Sequence, residues 1–128
     1  EEAPNMEMDM ARLKQKQDLG AAYAVTQLFY DNARYFSFVE RARKMGITIP
    51  IIPGIKPFAK LAPVSYTHLP QALAAEAVKC STDEEARALG IAWTAQQCRE
   101  LYAAGVSDIH FYTISAIDSV VEVLKQVL

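Results

Sequence analysis

Ala22-Tyr23-Ala24-Val25-Thr26-Gln27 is a short apolar run with β-branched residues, set two positions after Gly20. A run of this length and content reads as a buried β-strand. Ahead of it, Met6, Met10 and Leu13 recur at i, i+4 and i+7, one face of a helix, with Asn5 as its expected N-cap and Gly20 as its left-handed stop. The decisive feature is that this helix–glycine–strand unit repeats. Asp31 is the expected cap of a second helix in which Tyr35, Phe38, Val39 and Ala42 share a face. Arg43 and Lys44 suit the negative end of its dipole, and Gly46 ends it. Ile47 to Gly54 follows as the second strand, with Pro50 an awkward member because it brings no ladder donor.

The third unit is longer. Pro70 suits a first helical position, and Leu73, Ala74, Ala77 and Val78 follow it. Ser81-Thr82-Asp83-Glu84-Glu85 has capping-box spacing and opens a long helix to about Ala104, stopped by Gly105. Ile109 to Tyr112 is the third strand, and Ile117, Val120, Val121, Leu124 and Val127 form the apolar stripe of a closing helix. Helix–glycine–strand three times implies parallel strands joined by helical crossovers. Near-continuous apolar strands agree, since parallel sheets are covered on both faces. The fold class expected is α/β, a partial (β/α)8 barrel of about three parallel strands with their helices, its front half missing. Residues 1–128 are then the C-terminal portion of a single barrel domain.

The composition is that of an ordinary globular protein, 52% hydrophobic and 22% charged in 128 residues. A net charge of −2 with no basic stripe argues against a nucleic-acid partner. No apolar run approaches the ~20 residues of a membrane span. Cys80 and Cys98 lack CxxC spacing and read as reduced thiols of a cytoplasmic protein, with no metal site.

Parallel α/β folds work at the C-terminal ends of their strands. That selects Thr26-Gln27, Pro53 to Pro57, and Tyr112-Thr113. The Gln27 amide offers a donor and an acceptor to a planar heterocycle, or a hydrogen bond to loop backbone. Lys56 suits an anionic tail or plain solvation, and His110, mid-strand, reads as a satisfied core histidine. Asp9, Arg12 and Lys16 recur at helical spacing on one polar face, which solvation also explains. Phosphate-loop and nucleophile-elbow motifs are missing.

At these strand ends the chain resembles the methylenetetrahydrofolate reductase family. The matching stretches are Val25-Thr26-Gln27-Leu28-Phe29-Tyr30-Asp31, Ile51-Ile52-Pro53-Gly54-Ile55-Lys56-Pro57 and His110-Phe111-Tyr112-Thr113, in that order. The resemblance implies a flavin-dependent enzyme. NADH or NADPH reduces FAD, which passes a hydride to 5,10-methylenetetrahydrofolate in one-carbon metabolism and methionine biosynthesis. It implies that Gln27 binds the folate pterin. It also implies that Asp9, Arg12, Gln15 and Lys16 contact FAD, with Arg12 and Gln15 differing in type from some relatives. Ala116 stands where some relatives place a folate-contacting arginine. The family's general-acid glutamate and flavin-side aspartate fall ahead of residue 1, so no catalytic residue is expected here, and the chain alone is expected to be inactive. After Lys60-Leu61 the run Ala62 to Leu69 departs from the family's glutamine and aromatic residue, and Val64 to Leu69 resembles translated adapter DNA. The full-length protein has room to be a homo-oligomer. The alternative is a small non-catalytic α/β binding or interaction module.

Overall fold

The computed structural model describes residues 2–58 and 70–128, with side chains from Met8 onward, so His68 and the unusual run before Pro70 lie outside the described residues. Five helices and three strands are described. They are α1 (Glu2–Asp18), β1 (Ala24–Leu28), α2 (Asn32–Lys44), β2 (Ile51–Ile55), α3 (Gln71–Ala77), α4 (Asp83–Ala103), β3 (His110–Phe111) and α5 (Ile117–Val127). The sheet order is β1-β2-β3 and both pairings are parallel. Parallel neighbours joined by helices are what a segment of a (β/α)8 barrel contains.

Local chemistry accounts for most element ends. Gly20, Gly46 and Gly105 all have positive φ, the left-handed conformation that stops a helix without a Cβ clash. The Asp31 carboxylate caps α2 by accepting from the Ala33 N–H at 3.0 Å. Thr82 and Glu85 close a reciprocal capping box on α4. Two terminus expectations need correction. Asn5 lies inside α1, which begins at Glu2, and Pro70 is the N-cap of α3, one place before the first helical position.

The strands are shorter than the apolar runs that announce them. β2 begins only after Pro50, whose carbonyl accepts from Ala24 N–H at 2.9 Å, so the proline inside the strand is Pro53. β3 pairs over two residues. β1 is also not the buried strand its composition suggests: Tyr23, Val25 and Leu28 are exposed. It is an edge strand, and no described element pairs with its outer side. His110, expected in the core, is likewise exposed.

The main core joins Met10 of α1, Tyr35 and Ala42 of α2, Ile51 and Ile55 of β2, and Leu101 of α4. Burial on this scale drives the assembly, at about 1.5–3 kcal/mol for each large apolar side chain removed from water. A second cluster sets Tyr30 and Phe58 against Leu73 and Ala86. A third packs Val123 of α5 on Ala95 and Cys98 of α4. That contact rotates α5 away from the expected stripe: Val120 and Val123 are buried, whereas Ile117 and Val121 face outward.

Candidate functional site

A groove of about 1120 Å³ runs along β1, the strand at the sheet edge. Its floor is Tyr23 to Gln27, one wall is the Asp9, Arg12, Leu13 and Lys16 face of α1, and the other is the first turns of α2. That is slightly above the roughly 300–1,000 Å³ of a small-molecule cleft. Asp9, Arg12 and Lys16 share a face because positions i, i+3 and i+7 do so on a helix, spread over about 10 Å of its length. Leu13 of that face packs against the main core beside buried Met10, which seats the helix and leaves its polar residues toward the groove.

Four residues singled out in the sequence therefore line one surface: Asp9, Arg12, Lys16 and Gln27. Gln15 is exposed on α1 but is not among the residues lining the groove, and neither is Lys56. Ala116 is buried at the N-cap of α5. Tyr23 and Arg34 also line the groove. The available signal for Tyr23 is its period-two alternation with Val25 and Gln27. The signal for Arg34 is weaker, since a charged residue in the first turn of a helix is ordinary.

The segment after Gln27 is held tightly. Phe29 stacks on Tyr35 with ring centroids 5.6 Å apart, and the Tyr35 hydroxyl donates to the Ile51 carbonyl at 2.6 Å. Burial raises the Tyr35 pKa, a shift only partly opposed by the charge of Arg43, so the phenol stays a neutral donor. From α4, Trp93 Nε1 donates to the Tyr30 carbonyl at 2.7 Å and Gln97 Nε2 to the Phe29 carbonyl at 3.2 Å. Asn32 and Gln97 also bond each other, Nδ2 of Asn32 donating to the Gln97 carbonyl and Nε2 of Gln97 to Asn32 Oδ1, both at 3.2 Å. Buried amides at this density satisfy the loop backbone and leave it a single arrangement. The bonds to α4 are not visible from sequence spacing, because their partners stand more than sixty residues apart.

A second cavity, about 410 Å³, opens at the N-terminal ends of the strands, between α2 and the segment Ala104 to Asp108. Among the described residues that line it, the carboxylates are Glu40 and Asp108 and none is a Lys, Arg or His. Among the described residues no group of three or more His, Cys, Asp or Glu could hold a metal ion, and no helix is long and apolar enough to cross a membrane. The chemistry available thus concentrates on β1: two cations and a carboxylate on one wall, an amide at the strand end and apolar surface between.

Comparison with known proteins agrees on one family. Residues 1–128 match the family model described as methylenetetrahydrofolate reductase. The chain is 38% identical over 124 residues to methylenetetrahydrofolate reductase (NADH) 1 of Arabidopsis thaliana, covering 91% of this chain and 21% of that protein. It is 34% identical over 132 residues to the probable methylenetetrahydrofolate reductase (NADPH) of Caenorhabditis elegans, covering 97% and 20%. It is 35% identical over 121 residues to the 5,10-methylenetetrahydrofolate reductase of Escherichia coli, covering 89% and 41%. The chain thus spans less than half the length of each of these relatives. Among solved structures, a Clostridium thermocellum protein described as binding two copies of 5-methyl-5,6,7,8-tetrahydrofolic acid superposes with a TM-score of 0.53. That match covers 91% of this chain and 46% of the other at 14% identity, a likeness of fold. With the family model spanning every residue and curated relatives above 30% identity, the chain belongs to the methylenetetrahydrofolate reductase family.

Proposed function

We propose that residues 1–128 are the C-terminal portion of a single barrel domain. The whole protein reduces 5,10-methylenetetrahydrofolate to 5-methyltetrahydrofolate in the cytoplasm, with FAD as cofactor and NADH or NADPH as co-substrate. The observation that carries this reading is the single groove lined by Gln27 together with Asp9, Arg12 and Lys16.

The donor set fits the group. A flavin dinucleotide has an anionic pyrophosphate, a hydroxylated chain and a flat apolar ring. Arg12 and Lys16 would neutralise phosphate oxygens, Arg12 with a planar fork and Lys16 as a point charge. Asp9, a carboxylate, would accept from hydroxyls. When bound, FAD supplies the hydride chemistry. Gln27 at the end of β1 presents an amide that can both donate to and accept from a pterin edge. The residues of this chain bind and orient; the resemblance assigns the general acid to a position ahead of residue 1. Relatives named for NADH and for NADPH both occur, so the family supports either coenzyme.

The test compares the whole protein carrying this chain with the 128-residue chain alone. The whole protein is expected to purify with a flavin absorbance and to oxidise NADH or NADPH on adding the folate, and loss of both in the wild type would overturn the reading. The isolated chain is expected to turn over nothing. Tight flavin binding with NADH-dependent turnover by the chain alone would show that it is not a portion of the site.

A further inference from the structure

The ladder between β1 and β2 breaks at Gln27. Val25 pairs with Ile52 and Leu28 with Gly54, so Thr26 and Gln27 together span the stretch opposite Pro53. Two residues opposite one is a β-bulge, a device that re-aims a side chain beside functional sites. The irregularity has a local partner: the Gly54 N–H, which points toward β1, goes to the Thr26 hydroxyl at 2.9 Å. The Thr26 carbonyl instead accepts from the Tyr112 hydroxyl at 2.8 Å.

Tyr112 follows β3, on the far side of β2, so its ring must cross Gly54 to reach β1. Gly54 permits the crossing. A Cβ there would lie 2.5 Å from the Thr26 carbonyl oxygen and 2.7 Å from Tyr112 Cε2. The Tyr112 N–H donates to the Ile55 carbonyl at 2.9 Å, which fixes the base of the side chain. The Thr26 carbonyl and the Gln27 N–H belong to one rigid peptide plane. The Tyr112 hydroxyl therefore holds the plane from which the Gln27 side chain hangs. Downstream, Gln97 and Trp93 hold the Phe29 and Tyr30 carbonyls, so Gln27 is an exposed amide between two anchored stretches.

We propose that Tyr112 is a positioning residue for Gln27, holding across Gly54 the bulge that aims the amide. The proposal rests on the reading of Gln27 as a substrate-binding residue. The test uses the whole protein carrying this chain, with Tyr112→Phe, which keeps the ring and removes one hydroxyl. Loss of one hydrogen bond is expected to raise the KM for the folate substrate about three- to tenfold, with kcat within about twofold. In a Gln27→Ala background the same change is expected to add little, because the group being aimed is gone. An unchanged KM, or equal effects in both backgrounds, would overturn the proposal. A second readout does not depend on the ligand: with 15N-glutamine labelling, Tyr112→Phe is expected to move the Gln27 backbone amide resonance and leave that of exposed Gln126 in place. If Gln27→Ala leaves the folate KM unchanged, the substrate reading fails. If the Gln27 resonance stays put in Tyr112→Phe, the positioning geometry fails by itself.

Discussion

The two longest helices are used in opposite ways. α4 buries eight of its residues, among them Ala86, Thr94, Cys98 and Leu101, and reaches both the β1–α2 loop and α5. α1 buries Met10 alone among its described side chains, and it is held by Leu13 to the main core and by Gln17 to the segment between α2 and β2. The Gln17 side chain donates to the Gly46 carbonyl at 3.0 Å and accepts from the Thr48 N–H at 2.6 Å. The difference teaches where stability and binding chemistry reside. α4 is scaffold, with almost every inward position filled. α1 is a wall: Lys14 and Asp18 pair with each other, and Asp9, Arg12 and Lys16 line the groove instead of the core. A strand-end amide such as Gln27 depends on the scaffold helix while sharing a groove with the wall helix.

Five substitutions can break or sharpen that contrast. The largest effect is expected from Leu101→Ala in α4, a fully buried side chain shared with the main core. Its loss leaves a cavity costing about 2–5 kcal/mol, read as a shift of the urea midpoint. A cost below about 1 kcal/mol, the ordinary range of a tolerated change, would mean α4 is not the scaffold described.

Next comes the α4 cap. Thr82→Ala removes the acceptor for the Glu85 N–H and is expected to cost about 1 kcal/mol. Glu85 sharpens the point through pH. Hydrogen bonds from Ser81 first, then Thr82, lower its carboxyl pKa below the usual 4.5. A lowered folded-state pKa means this contribution is present above the unfolded value and is lost as pH falls through the folded one. Glu85→Gln should therefore flatten the acid side of the stability profile, and an unchanged acid limb would count against the box. The smallest stability effect is expected on α1: Arg12→Ala and Lys16→Ala should each stay within about 0.5 kcal/mol of wild type by thermal melting. In the whole protein the same changes are expected to weaken flavin retention about tenfold, as loss of a charge-assisted bond would. If melting falls as far as for Leu101→Ala, the polar face of α1 is structural and the contrast fails.

Much of the architecture is legible in particular residues. The three glycines at positive φ, the Asp31 cap and the Thr82–Glu85 box all act within a few residues of themselves, so spacing suffices to find them. The common face of Asp9, Arg12 and Lys16 follows from helical period, and Gln27 from its place at a strand end. Burial was less legible. The β1 sequence is apolar enough for an interior strand, yet exposure depends on whether a neighbour covers it, which composition does not encode. The α5 stripe shows the same limit, since Val121 and Val123 are equally apolar and only the contact with α4 decides which is buried.

The amino-acid sequence by itself determined that three helix–glycine–strand units form parallel strands, because helix stops, caps and apolar periods are short-range properties. The tertiary structure alone decided how Gln27 is presented. Pro50 is the awkward proline by sequence, but the proline inside β2 is Pro53, and beside it the Gly54 N–H goes to the Thr26 hydroxyl and leaves a ladder position open at the Thr26 carbonyl. The hydroxyl that fills it comes from Tyr112, eighty-six residues from Thr26 in the chain. A hydrogen bond across that separation has no local signature. It exists only once β3 has been laid beside β2 and Gly54 has left room for an aromatic ring to pass.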